Sequence, residues 1–470
     1  MRRLELGLGQ VALAALLLST PTSADDGVEW QRCRVGSLGA RCSSIELLER
    51  RDRPEGRTIE LPFVLVDPTE VPTEEPTEDP LPGEAVVVLE GGPGASVSQF
   101  ALLHAQTFAG ARRHRALLLV DQRGTGRSGS LDCDLMKGFR RLATPESVAA
   151  CREALAPDAD LAYYTTDDVV LDLVELLDRL GVERVDLFGS SYGTRTALRF
   201  AARHPDRIRT MILMAPYPTT HNVLVEAAPV LDDALAALVE SCAAEAECFR
   251  SYPRLDETIA ELPHRLGDRP DWGLFTAGVR MMLFFPLQAA RVPQLLDMVA
   301  RSGRLPPSQP GPQAELLADW VSEGAFLSIL CSEDAARTDV AAVREAARGT
   351  FMGAGWGESL VASCAEWPRR ELPEDFSEPV RSDVPALLLV GENDPAMPPA
   401  WAHDAAATLP NARVVEIPHG QHSFIGMRGA GCLVGLIERF LDAGSVEGLD
   451  TSCTARMRPP PFAPPAGTGE

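Results

Sequence analysis

Residues Arg184–Arg203 read RVDLFGSSYGTRTALRFAAR, and this stretch decides the fold. Arg184–Phe188 is a short apolar run of strand character, and Thr194–Arg203 has the pattern of a helix. Between them Gly189-Ser190-Ser191-Tyr192-Gly193 matches G-x-S-x-G. Small residues on either side of a serine permit a tight, strained turn from strand to helix that leaves its hydroxyl exposed. The helix N-terminus beyond it favours negative charge beside that hydroxyl. The motif alone is weak, because Gly- and Ser-rich turns are common. Set between a strand and a helix, it marks Ser191 as a nucleophile.

The surroundings repeat the strand–helix rhythm. Ala85–Leu89 (AVVVL) and Ala116–Val120 (ALLLV) read as buried strands, as does Arg209–Met214. Val169, Leu171, Leu173, Val174 and Leu177 form the apolar face of a helix that Asp167 or Asp168 can cap and Gly181 ends. Continuous apolar strands alternating with helices predict a parallel sheet covered on both faces, an α/β fold. Near Tyr217 the alternation stops, and the chain reads as helical with proline breaks to about Pro379. It resumes with Ala386–Val390, Arg413–Ile417 and a helix from about Cys432 to Ala443. The expected organisation is therefore a segment 1–24, a first core part 25–216, a helical lid 217–380 and a second core part 381–470. Residues 67–83, acidic and proline-rich, read as a surface loop.

A nucleophilic serine needs a base, and the base needs an orienting acid. Strand Ala386–Val390 runs into Gly391-Glu392-Asn393-Asp394-Pro395. Asp394, just beyond the strand end, is the expected acid; Glu392 is its nearest rival. Strand Arg413–Ile417 is followed by Pro418-His419-Gly420-Gln421-His422. His422 is preferred to His419 as the base because it lies deeper in the loop, while His403 falls on the intervening helix. An oxyanion needs backbone N–H donors. Tyr192 offers one, and the glycine-rich loop Glu90-Gly91-Gly92-Pro93-Gly94 after the first buried strand offers the other.

Composition narrows the function. The 470 residues are 45% hydrophobic and 24% charged, ordinary for a soluble globular protein. A net charge of −23 repels phosphate backbones and anionic membranes, so no nucleic-acid partner is expected. Arg2 and Arg3, the apolar run Val11–Leu18 and the small residues up to Ala24 have the three parts of an export signal with cleavage near Ala24. No cysteine follows that site and no later run is long enough to span a bilayer, so no membrane anchor is expected. Ten cysteines in an exported chain read as disulfides. Sequence alone leaves the connectivity open, and neighbour pairing (33–42, 133–151, 242–248, 331–364, 432–453) is the simplest choice. No C-x-x-C pair suggests a metal, and no cofactor is expected.

The set Gly91-Gly92-Pro93-Gly94-x-Ser96, Asp121-Gln122-Arg123-Gly124-Thr125-Gly126-Arg127-Ser128 and Gly189-x-Ser191-Tyr192-Gly193 resembles the proline iminopeptidase and tripeptidyl aminopeptidase family of α/β-hydrolase serine peptidases. The stretch from Cys432 to Phe462 is similar to that family's tripeptidyl-aminopeptidase-like C-terminal region, and Trp30 with Cys33 and Cys42 to its start. The resemblance implies an α/β-hydrolase fold, Ser191, Asp394 and His422 as a triad, and the Gly92 and Tyr192 amides as the oxyanion hole. The family usually carries histidine where this chain has Glu90, which departs from strict prolyl specificity. Glu90 can attract a substrate amine or bond to loop amides. A free-amine substrate needs a carboxylate partner, and the family's use of lid acids points to Glu333 in Leu330-Cys331-Ser332-Glu333-Asp334, against the plainer reading of a solvated helix-end acid. The expected function is an exported serine aminopeptidase acting on a peptide. A carboxylic-ester hydrolase acting on a small ester and a non-catalytic binding protein of the same fold are the alternatives.

Overall fold

The computed structural model describes residues 28–70, 85–133, 135, 143–306 and 320–465. The expected signal segment 1–24 and most of the loop 67–83 lie outside the described residues. The strands are β1 (Gln31–Val35), β2 (Leu38–Leu48), β3 (Thr58–Val66), β4 (Ala85–Leu89), β5 (Ala116–Val120), β6 (Val185–Ser190), β7 (Ile208–Met214), β8 (Ala386–Gly391) and β9 (Ala412–Ile417). They form one sheet in the order β1-β2-β3-β5-β4-β6-β7-β8-β9. From β5 to β9 all pairings are parallel, whereas β1, β2 and β3 join as an antiparallel meander.

This pattern follows from the side chains. Every residue of β4, β5 and β8 is buried, as their unbroken apolar runs require in a sheet covered on both faces. One face carries helices Thr166–Arg179 and Tyr192–Arg203, whose Leu173, Leu177, Ala197 and Phe200 pack on Val87, Leu118 and Leu187. The other carries Val97–Thr107 and Gly431–Ala443, with Ala101, Leu436 and Phe440 against Val88, Leu119 and Leu389. Helix Thr166–Arg179 begins two or three residues earlier than the sequence suggests: Thr165, not Asp167 or Asp168, is the cap, and Asp168 reaches back to accept its backbone N–H at 3.1 Å.

Between β7 and β8 the chain is helical, with Val223–Ala244, Leu255–Leu266, Trp272–Leu283 and Val292–Ser302 sharing a separate apolar centre around Leu231, Val279 and Leu296. The inserted segment leans on the sheet's C-terminal edge, where Ser322 donates its N–H to the Gly94 carbonyl at 2.9 Å. Disulfides join Cys33–Cys42, Cys133–Cys151, Cys242–Cys248, Cys331–Cys364 and Cys432–Cys453. These are the neighbour pairs. No helix among the described residues is long and apolar enough to cross a membrane.

Candidate active site

Four loops meet at the C-terminal edge of the parallel strands. Ser191 follows β6, Gly91 and Gly92 follow β4, Asp394 follows β8 and His422 follows β9. Ser191 has φ 54° and ψ −122°, a conformation L-residues avoid and which persists only where the surroundings enforce it. The glycines of the motif explain how. A Cβ on Gly193 would lie 2.1 Å from the Leu89 carbonyl oxygen, and one on Gly189 would lie 2.6 Å from the Gly193 oxygen. Strand and helix can approach this closely only with hydrogen in those places. The turn therefore thrusts Ser191 outward between β4 and the helix that Tyr192 begins.

His422 Nδ1 faces both oxygens of Asp394, at 2.8 and 3.0 Å. The carboxylate is itself held, because its Oδ1 accepts the Ala396 and Met397 N–H groups at 2.8 and 2.9 Å. With Nδ1–H donated to the acid, the second ring nitrogen is left as a proton acceptor. Phe284, from the inserted segment, packs its ring 4.5 Å from that of His422, and its carbonyl accepts the Ser423 N–H at 2.8 Å. The rival residues sit elsewhere. Glu392 and His419 meet each other, half-exposed, where the His419 N–H donates to the Glu392 carboxylate. His403 bonds to Glu416 on the surface.

Two backbone donors lie beside Ser191. Tyr192 is the first helical residue, so its N–H has no intrahelical acceptor. The Gly91 N–H is taken by the Glu90 carboxylate at 3.0 Å, while that of Gly92 has no hydrogen-bond acceptor among the described residues. Gly91 is the residue pressed against the serine: a Cβ there would stand 2.8 Å from the Ser191 Cβ. A serine hydroxyl, an imidazole fixed by a carboxylate and two available amides can perform nucleophilic acyl transfer.

Both acids considered for a substrate amine are engaged by the protein's own groups: Glu90 takes the second of its two readings, bonding to a loop amide, while Glu333 is neither solvated nor open. Glu90 is bound to its own loop, with Oε1 2.5 Å from His104 Nε2, because helix Val97–Thr107 returns across the loop and brings His104 onto it. Glu333 is completely buried in a π-helical turn, Leu330–Asp334. Its oxygens accept the Thr166 N–H at 2.7 Å and the Thr166 hydroxyl at 2.9 Å, and Arg195 stands 3.3 Å away. Arg195 also pairs with Asp334 at 3.1 Å. Burial pushes the Glu333 carboxyl up to about 7, despite Arg195 and the Thr166 bonds, which pull the other way. Glu333 thus ties the inserted segment to the helix behind Ser191. Its place beneath that helix arises from a contact 138 residues away in sequence, which no local pattern reveals.

The sequence reading passes over two further residues, Phe284 and Arg280. Both belong to the helix Trp272–Leu283 and its end, which carry no motif. No cluster of three or more metal-ligating side chains occurs among the described residues.

Residues 84–272 match the family model described as the alpha/beta hydrolase fold, and residues 349–453 match the one described as TAP-like protein. A probable proline iminopeptidase of Streptomyces coelicolor is 32% identical over 136 residues, covering 28% of this chain. The chain spans only 32% of that relative's length. Serine protease Hip1 of Mycobacterium tuberculosis is 23% identical over 488 residues, 91% of each chain. A solved proline iminopeptidase of Mycobacterium smegmatis aligns over 86% of this chain and 98% of its own, with 18% identity and a TM-score of 0.45. The sheet and the match over residues 84–272 give the chain the α/β-hydrolase fold, residues 349–453 carry a TAP-like region, and the curated relatives it resembles are named as a proline iminopeptidase and a serine protease.

Proposed function

We propose that the protein is a serine peptidase of the aminopeptidase type, exported, that cleaves peptides through an acyl-enzyme on Ser191. The observation that carries this reading is the His422–Asp394 pair at 2.8 Å, set on the same sheet edge as the strained Ser191 turn. Ser191 Oγ attacks the scissile carbonyl and passes its proton to His422 Nε2. Asp394 fixes the ring and stabilises the imidazolium. The Gly92 and Tyr192 N–H groups receive the oxyanion. On collapse the C–N bond breaks, and His422 returns the proton to the leaving amine. Water then attacks the ester by the same route in reverse and frees Ser191. The names of the relatives, a proline iminopeptidase and a serine protease, favour a peptide substrate. Five disulfides fit an oxidising compartment, and so support export.

One observation favours a second reading, a carboxylic-ester hydrolase. The acids expected to hold a free amine, Glu333 and Glu90, are committed to the protein's own groups. A panel of aminoacyl p-nitroanilides against short-chain p-nitrophenyl esters decides between the two. Higher kcat/KM on anilides with a free amine than on their N-acetylated forms supports the aminopeptidase. Turnover confined to esters rejects it.

A further inference from the structure

Six arginines are buried among the described residues: Arg112, Arg115, Arg123, Arg195, Arg199 and Arg280. Four have carboxylates: Asp442 for Arg115, Asp172 for Arg123, Asp334 for Arg195 and Asp167 for Arg199. Arg112 turns its guanidinium on the carbonyls of Ala105 and Asp67. Arg280 has no carboxylate and only a single carbonyl among the described residues. It is 8% exposed, and its one hydrogen bond runs from Nε to the Pro395 carbonyl at 3.0 Å. Its two terminal nitrogens have no hydrogen-bond or ion-pair partner among the described residues. The guanidinium lies 5.5 Å from the Phe284 ring and 5.6 Å from that of Trp356, contacts that ease an unpaired cation without neutralising it.

Position gives this cation its meaning. Pro395 follows Asp394, and the Phe284 ring beside Arg280 also packs at 4.5 Å on His422. The two ring spans laid end to end bound the separation of guanidinium and imidazole at about 10 Å. That is the reach of roughly three residues of extended chain at ~3.5 Å each. A desolvated cation left without a counter-ion is costly to the fold unless something else supplies one. Burial draws the Arg280 guanidinium down to about 10, even with Asp394 nearby holding it up. In Arg123 and Arg195, which are more deeply buried still, a direct carboxylate reverses that effect.

We propose that Arg280 is a specificity-determining residue that receives a carboxylate of the substrate, so that the site prefers an anionic substrate to its neutral isostere. The inference rests on the Ser191, His422 and Asp394 reading above. The planar fork of a guanidinium matches a carboxylate with two parallel N–H donors, and here both terminal nitrogens are open for it. Two sources share this chemistry: an acidic side chain on the acyl residue, and the free C-terminus of a short peptide.

The test uses the full chain and reads preference as a ratio. One arm compares glutamyl with glutaminyl p-nitroanilide, and p-nitrophenyl hemiglutarate with p-nitrophenyl valerate. The other compares tripeptides with their C-terminal amides. A preference of tenfold or more in kcat/KM for the carboxylate member of either arm is expected, and the arm that shows it identifies the source. In Arg280→Met that ratio should fall to about one, and Arg280→Lys should keep part of it. As a check independent of turnover, glutarate should protect the wild type from fluorophosphonate labelling better than glutaramide does, and Arg280→Met should lose the difference. No preference in either arm, or equal losses on both members in Arg280→Met, overturns the proposal and leaves Arg280 as a support for the Asp394 loop. Failure of fluorophosphonate to label the wild type at all would instead defeat the serine-hydrolase reading beneath it.

Discussion

Gly91→Ala is the substitution that probes the setting of Ser191, the proposed nucleophile, most closely. An added Cβ would sit 2.8 Å from the Ser191 Cβ, 3.0 Å from the Ser190 oxygen and 3.4 Å from the Ser191 hydroxyl. Carbon atoms at rest stand ~3.5–4.0 Å apart, so loop or serine must withdraw by roughly 0.7 Å. Ser191 cannot relax freely, because its φ of 54° is fixed by the close contacts of Gly189 and Gly193. The movement falls on the loop that brings the Gly92 amide, or on the serine itself. Misplacing reacting groups by ~1 Å can cost about 10²-fold, so a loss of roughly 10- to 100-fold in kcat/KM is expected. Overpacking of this kind costs about 1–3 kcal/mol, which lowers Tm by a few degrees and leaves the protein folded. The assay is the second-order rate of fluorophosphonate labelling together with hydrolysis of p-nitrophenyl butyrate, with Tm as control. Labelling within twofold of wild type would refute the geometry argued for this turn.

Glu333 makes a signed prediction about pH. In the fold it keeps its proton up to about 7, whereas unfolded it ionises near its ordinary 4.5. The native state therefore binds the extra proton across that window, and this group's contribution makes stability fall as pH rises from about 4.5 to about 7. Glu333→Gln cannot titrate and should flatten that slope in a Tm–pH series; an unchanged slope counts against the buried carboxyl. Cys432→Ser with Cys453→Ser opens a loop of separation 21 and should cost about 3 kcal/mol in a denaturant titration, with fluorophosphonate labelling preserved. An unmoved midpoint would refute the bridge's role in holding the tail.

How far the sequence could be read depended on the range of each interaction. The strands at β4, β5 and β8 are legible because burial on both faces demands unbroken apolar runs. The strained turn at Ser191 is legible because the glycines it needs are neighbours in sequence. The positions of Asp394 and His422 follow from which strands precede them. The antiparallel strands β1 to β3 are harder, since exposed and buried residues mix in β1 and β2 and no sustained alternation marks a face on either side of the turn at Gly36, with φ 59°. Glu333 and Arg280 are illegible in principle. One is claimed by Thr166 and Arg195, the other is left without a carboxylate, and both facts depend on how a helical insertion packs on a sheet far away in sequence.

The central claim is that Ser191 is the residue on which the acyl-enzyme forms. Treating the folded protein with a fluorophosphonate and mapping the adduct by peptide mass spectrometry tests it directly. A single adduct on Ser191, absent in Ser191→Ala together with at least a 10⁴-fold loss of turnover, is the predicted result. An adduct on another residue, or Ser191→Ala activity within tenfold of wild type, would contradict it.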